Sequence, residues 1–181
     1  MLSTRRLDKV IEIDPADRIV RVQPGVVTGD LRSRVQQSGR FYPPDPGSVD
    51  FCTIGGNVAT NAGGMCCLKY GVTGDHVLGL KAVLADGRVF RTGRRSRKGA
   101  AGYDLTRLIV GSEGTIAVIT EITLALQPLP SLAATVVATF DTLEAAGRAV
   151  RGGEHDDRQG LLMGDLGGHA ESHTTSVAAA R

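Results

Sequence analysis

The sequence predicts a domain of mixed α and β structure, and three observations carry that reading. Short alternating apolar stretches face one another across turn residues, as at residues 9–13 and 18–22. Between such stretches lie segments with helix start and stop signals, as from Thr28 to Gln37 with Gly39 beyond. Aromatic residues make up only 4% of the chain and Trp is absent, so the core must rest on Val, Ile, Leu and Ala, which suits strand packing.

Taken in order, the chain opens as a hairpin. Residues 9–13 alternate, Asp14-Pro15-Ala16-Asp17 turns, and residues 18–22 alternate again, with Ile19 and Val20 between charges. Pro24 and Gly25 end it. Thr28 is the expected N-cap of a helix through Gln37, with Leu31 and Val35 one turn apart on its buried face. The run 43–64, Pro-Pro-Asp-Pro-Gly-Ser-Val-Asp-Phe-Cys-Thr-Ile-Gly-Gly-Asn-Val-Ala-Thr-Asn-Ala-Gly-Gly, is the most informative stretch. Its four glycines from Gly55 to Gly64 remove Cβ atoms where main-chain N–H groups must approach an anion, while two Asn and two Thr add short polar side chains. Such a run is poor as an ordinary strand or helix. Each Gly there costs about 0.5–1 kcal/mol relative to Ala, and a tightly held phosphate-bearing ligand is one offset.

Residues 77–85 and 88–91 flank Asp86-Gly87, the dipeptide that favours a tight type I′ hairpin turn. A loop rich in Arg and Gly follows, then a short helical stretch over 104–109. Gly111-Ser112-Glu113-Gly114 opens a strand pattern over 115–126, which Pro128 and Pro130 close. Residues 133–140 read as a further strand and 142–150 as a helix, the start of a new βα unit. From Arg151 the periodicity fails. Residues 151–181 are expected to form a disordered or non-native tail.

The composition limits the function classes. With 181 residues and 41% hydrophobic content, the chain suffices for one domain and the start of a second. A net charge of +2 from 21 basic and 19 acidic residues supplies no global drive toward nucleic acid or anionic membranes. The basic run Arg94-Arg95-Ser96-Arg97-Lys98 reads as a solvated loop, since no aromatic residues interleave it, and no nucleic-acid partner is expected. Residues 108–126 are interrupted by Glu113 and Glu121, so no transmembrane segment is expected. The first residues lack the apolar core of a secretory signal, and a cytoplasmic chain is the default. Cys52, Cys66 and Cys67 form neither an even disulfide framework nor a zinc spacing. They read as free thiols. The adjacent pair Cys66-Cys67 has a redox-active and a flavin-attaching reading besides the favoured one of two small half-buried side chains. His155, His169 and His173 are irregularly spaced, so no metal site is expected, and His76 reads as a hydrogen-bonded structural residue.

A second chemical segment, Gly102 to Glu121, lies beyond the intervening hairpin and loop. There a carboxylate and glycines at a strand mouth can accept hydrogen bonds from a ribose while Ile side chains cover an adenine face. Either segment alone has a structural explanation. In this order and spacing the two resemble the FAD-binding domain of vanillyl-alcohol-oxidase (PCMH) type flavoproteins. The nearest group is the FAD-linked subunits of D-lactate dehydrogenase and glycolate oxidase. The resemblance runs over about residues 7–150 and rests on Val22-Gln-Pro-Gly-Val26, Pro43-Pro-Asp-Pro46, Thr53-Ile-Gly-Gly-Asn57, Asn61-Ala-Gly-Gly64, Lys69-Tyr-Gly71 and Gly111-Ser-Glu-Gly-Thr115.

The resemblance implies an α+β FAD fold over residues 1–130, then the start of a ferredoxin-like cap over 131–150. FAD is the implied cofactor. Carried over position by position, Pro44, Gly47, Ser48, Val49, Asp50, Phe51, Cys52, Thr53, Gly55, Gly56 and Asn57 would line its pyrophosphate and flavin. Thr60, Asn61, Ala62 and Gly63 would touch it again, and Glu113, Gly114, Thr115, Ile116, Ala117, Val118 and Ile119 would hold the adenosine half. The implied reaction is oxidation of a small 2-hydroxy acid such as D-lactate or glycolate, with hydride passing to the flavin N5 and onward to an electron acceptor. The alternative is an inactive fragment or a non-catalytic flavin-binding or interaction module. In the family a first phosphate loop and its βαβ unit precede the hairpin at Lys9, and a substrate cap follows the position of Val150. A chain without that βαβ unit is expected to have a partner subunit or to self-associate. No residue is assigned as a catalytic base and none as a metal ligand.

Overall fold

The computed structural model describes residues 3–93, 102–130, 135–154 and 175–180. It divides into two units, Met1–Cys67 with Gly71–Leu129, and Leu68–Tyr70 with Pro130–Arg181. The first unit holds a five-stranded sheet in which every neighbouring pair is antiparallel. Its strands are β1 (Val10–Asp14), β2 (Ile19–Val22), β4 (Val77–Val83), β5 (Val89–Gly93) and β6 (Val118–Ala125), in the order β1-β2-β6-β4-β5. The short strands β3 (Arg40–Phe41) and β7 (Gln127–Pro128) pair separately.

The β1–β2 hairpin forms where the alternation places it. Asp14 Oδ1 accepts the N–H groups of Ala16 and Asp17, each at 3.0 Å, and so closes the turn. On one sheet face Val20, Val22, Leu80, Ile122 and Leu124 join Leu31 and Val35 of α1 (Thr28–Gln37), and Ile54 and Val58 of α2 (Ile54–Thr60), in one core. These apolar residues sit at the spacing that keeps each element's side chains on one face. On the other face Glu12, Arg21, Lys81, Arg91 and Glu121 line a cleft of about 200 Å³. Arg21 pairs with Glu12 at 3.3 Å, while Glu121 receives Lys81 at 2.7 Å and Arg91 at 3.5 Å.

Several local expectations are corrected. The β4–β5 connection is not a type I′ turn, because Asp86 is absent from the residues with positive φ and Gly87 alone takes it, at 85°. Gly87 N bonds Leu84 O at 3.0 Å and Leu84 N bonds Arg88 O at 2.9 Å, a three-residue loop ending in a left-handed glycine. Run 43–64, expected to suit no regular element, contains α2, because Ile54 and Val58 bury one turn apart and Thr53 caps the start. β6 begins at Val118, three residues later than the pattern at Thr115, since residues 111–117 are spent on turns.

In the second unit β8 (Thr135–Phe140) pairs antiparallel with β9 (Thr175–Ala180), and α6 (Leu143–Glu154) lies between them in sequence. Thr142 Oγ1 accepts Ala145 N at 3.2 Å at the start of that helix. Within 151–181, α6 continues to Glu154 and residues 175–180 pair with β8. The basic run Arg94 to Lys98 and His155, His169 and His173 lie outside the described residues.

Candidate cofactor-binding site

The loop 43–53 is laced to the start of α1 by main-chain bonds. Gly29 N donates to Val49 O at 2.9 Å, Thr28 N to Cys52 O at 3.0 Å, Ile54 N to Val26 O at 2.8 Å and Gly55 N to Pro24 O at 2.8 Å. Thr53 Oγ1 then accepts Gly56 N at 3.2 Å, which caps α2. Thr28 was the expected cap of α1, yet it is the first helical residue, and Val27 at the cap position makes no side-chain bond. The Thr28 hydroxyl is engaged elsewhere. It accepts Asn57 Nδ2 at 2.8 Å and Cys52 Sγ at 3.3 Å, so it ties α1 to α2 through a buried pair.

The four glycines of the run divide by what stands over their α-carbons. A Cβ on Gly55 would meet the Pro24 ring and its carbonyl oxygen, and one on Gly64 would meet the Asp45 main chain. Those two glycines let the chain pack on itself. Over Gly56 the nearest atom is Thr53 Oγ1 at 3.3 Å, over Gly63 it is Cys67 Sγ at 3.5 Å, and over Gly47 nothing lies within 4 Å. These three leave bare, exposed main chain.

Two hydrogen bonds unite the distant glycine-rich segments. Gly111 N donates to Val58 O and Glu113 N to Ala59 O, both at 2.9 Å, so the Gly111–Gly114 turn binds carbonyls at the end of α2. Glu113 takes φ 53°, flanked by Gly111 at 78° and Gly114 at 76°, an arrangement glycine makes inexpensive on both sides. Ser112 O closes the turn by accepting Thr115 N at 3.0 Å and Thr115 Oγ1 at 2.6 Å. Asn61, left-handed at φ 50°, ends α2 and accepts Gly74 N through Oδ1 at 2.8 Å. Gly56, Thr60, Asn61 and Gly63 of the first segment and Glu113, Gly114, Thr115 and Ile116 of the second are all exposed. They make two strips of one unit, joined by the bonds above.

The remaining predicted site residues are placed differently. Pro44, Asn57 and Ala117 are buried, and Ile119 packs against the core. Ser48, Val49, Cys52, Thr53, Gly55, Ala62 and Val118 are half-buried, while Asp50 and Phe51 are exposed. Positioning residues that the predicted site leaves out are Pro24, Asp45, Asp75 and Arg107. Asp75 Oδ2 accepts Val72 N at 3.0 Å and Asp75 Oδ1 receives Arg107 at 2.9 Å, linking α4 (Thr73–His76) to α5 (Leu105–Ile109) just before Gly111. The Arg107 guanidinium accordingly holds the Asp75 carboxyl below the usual carboxylate range. Such a clamp has no local sequence signal, because its partners are separated by 32 residues. His76 is buried with its ring edge-on to Tyr42, 6.0 Å between centroids, and burial pushes the Tyr42 phenol up and keeps it neutral.

Comparison with known proteins adds the identity of the group. The model of a family described as FAD binding domain matches residues 1–93. The chain is 47% identical over 150 residues to glycolate oxidase subunit GlcD of Bacillus subtilis, covering 83% of this chain and 32% of that protein. It is 41% identical over 144 residues to D-lactate dehydrogenase of Anaerostipes hadrus, covering 80% and 30% respectively. Among solved structures, alkyldihydroxyacetonephosphate synthase matches with a TM-score of 0.72 and 28% identity over 83% of this chain and 27% of that one. The chain thus spans about a third of the length of the curated relatives it matches.

The residues present fit a flavin dinucleotide. Bare main chain at Gly47, Gly56 and Gly63 admits close approach, the exposed Asn61 carries an amide N–H that a phosphate accepts, and the exposed Glu113 carries a carboxylate to which a ribose hydroxyl donates. Family match, relatives and local geometry agree, and the chain belongs to the FAD-binding domain family, with FAD as its cofactor.

Proposed function

We propose that FAD lies along the two exposed strips, with residues 47–53, Gly56, Thr60, Asn61 and Gly63 toward the pyrophosphate and flavin and Glu113 to Ile116 toward the adenosine. The observation that supports this is the pair of bonds from Gly111 and Glu113 to the carbonyls of Val58 and Ala59, which join two segments rich in exposed glycine and short polar side chains. Asn57 and Gly55 act beneath the site. Asn57 fixes α2 against Thr28, and Gly55 lets α2 approach Pro24, so both shape the surface without facing the cofactor. When bound, the flavin supplies the two-electron acceptor, while this chain's residues bind and orient it.

The names of the relatives support a small 2-hydroxy acid, D-lactate or glycolate, as the substrate class, with electrons leaving to a second acceptor. Flavin absorbance that co-purifies, or FAD added back and retained through gel filtration, tests the binding half. Reduction of an artificial electron acceptor by D-lactate or glycolate, in proportion to bound flavin, tests the catalytic half. Flavin binding without turnover would favour a flavin-binding module over an oxidoreductase, and failure to retain FAD would overturn the site.

A further inference from the structure

Beside the cofactor strips stands a cluster that the proposed flavin contacts do not include. Asp45 presents both carboxylate oxygens to Cys66, Oδ1 to the main-chain N–H and Oδ2 to Sγ, each at 2.9 Å. One residue on, Cys67 Sγ receives the N–H of Gly64 at 2.9 Å. Both thiols are half-buried, and neither is in a disulfide. Their surroundings are unlike. Burial, and then the hydrogen bond to Asp45, push the Cys66 thiol up to about 12, so Cys66 carries its proton and donates it to the carboxylate. At Cys67 the Gly64 main-chain N–H donates to the sulfur, a contact that a sulfur bearing negative charge makes best.

We propose that Cys66 and Cys67 are a peroxide-oxidisable dithiol in which Cys67 reacts first and Cys66, with Asp45 as its base, closes the disulfide. In the first step the Cys67 sulfur attacks one oxygen of a hydroperoxide. The O–O bond breaks, Cys67 keeps that oxygen as a sulfenic acid, and the other oxygen takes the thiol proton and departs as alcohol or water. In the second step the Cys66 sulfur attacks the Cys67 sulfur while its proton passes to Asp45 Oδ2. The S–O bond breaks, and the departing hydroxide takes that proton as water. Two thiols lose two electrons and the hydroperoxide gains them.

The geometry makes the product reversible. Adjacent residues hold their Cα atoms about 3.8 Å apart, below the usual disulfide span of about 4.4–6.8 Å, so the closed bond is strained and easily reduced. Closing it also draws Cys66 Sγ from Asp45 and Cys67 Sγ from Gly64. Those contacts, with Gly64 seated on the Asp45 main chain, fasten the 43–46 loop to residues 64–66. Oxidation therefore loosens that loop.

The test uses the reduced 181-residue chain, hydrogen peroxide as oxidant, dimedone to trap sulfenic acid and peptide mass spectrometry. The expected product is a peptide spanning residues 66 and 67 that has lost the mass of two hydrogens and regains it with dithiothreitol, while Cys52 stays open to alkylation. Dimedone should mark Cys67 in the Cys66→Ser variant and leave Cys66 unmarked in Cys67→Ser. Asp45→Asn should slow disulfide closure by about a hundredfold, the usual scale for a lost general base, without slowing sulfenic acid formation. The wild-type chain decides the matter even if a variant does not fold. Dimedone on Cys66 rather than Cys67, or oxidation of Cys52 ahead of the pair, overturns the proposal. None of these readouts depends on bound flavin.

Discussion

Gly55 and Gly56 are neighbours in one helix, and the structure assigns them opposite responses to the same substitution. In Gly55→Ala the new Cβ lands on the Pro24 ring and carbonyl, which are main chain and ring and cannot rotate away. Overpacking of this kind costs about 1–3 kcal/mol, and removing a helical glycine returns about 0.5–1 kcal/mol. The net loss of about 1–2 kcal/mol should lower Tm by about 2–8 °C in a chain of this size. Gly56→Ala meets only the Thr53 hydroxyl, at 3.3 Å, and should hold or slightly raise Tm. If FAD lies over Gly56, that same variant should show a smaller rise in Tm on adding FAD, since ligand stabilisation scales with affinity. Thermal melts of both variants with and without FAD measure all of this. The reasoning fails if Gly55→Ala melts at or above the parent, or if Gly56→Ala falls as far as Gly55→Ala.

Other substitutions follow from the same contacts. Asn57→Ala removes the buried donor to Thr28 and should cost about 1–3 kcal/mol in urea unfolding, while Asn57→Asp should cost more by burying a carboxylate. The Lys81 ammonium, and Arg91 behind it, hold the Glu121 carboxyl below its ordinary value of about 4.3. Its stabilisation is therefore complete above that value and fades as pH falls through the lower folded-state value. Glu121→Gln should lose less Tm than the parent on acidification, by an amount worth under about 1 kcal/mol because both cations are partly exposed. Arg107→Ala opens an exposed clamp, so the melt should change by less than about 1 kcal/mol. It should nevertheless weaken FAD retention, measured by fluorescence titration, because α5 leads directly into the Gly111 turn.

Local chemistry made the hairpins, α1, α5 and the glycine segments legible. Asp14 reads as a turn because a carboxylate that can bond two following N–H groups needs no distant partner. Asp104 likewise caps α5 through its own side chain, at 3.0 Å to Arg107 N. Asp86-Gly87 marked a turn but not its type, since a left-handed Gly87 serves either a two- or a three-residue loop. Thr28 looked like a cap because caps and buried hydroxyls share residue types, and only the arrival of Asn57 from 29 residues away distinguishes them. The division of the glycines was hidden for the same reason. Whether a missing Cβ serves Pro24, Asp45 or open space depends on chain that returns from elsewhere.

Strand β6 occupies the middle of the sheet, between β2 and β4, although it is the last of the five strands to be synthesised. Until residues 118–125 emerge, the hairpins β1–β2 and β4–β5 are two separate ribbons, each lacking one neighbour. Two-stranded ribbons are marginal alone, and pairing strands this far apart in sequence closes a long loop before any reward arrives. Residues 1–93, over which the family model matches, thus lack the central strand of their own sheet. A ribosome-bound chain should remain protease-sensitive until β6 has cleared the exit tunnel, then acquire protection in both hairpins at once.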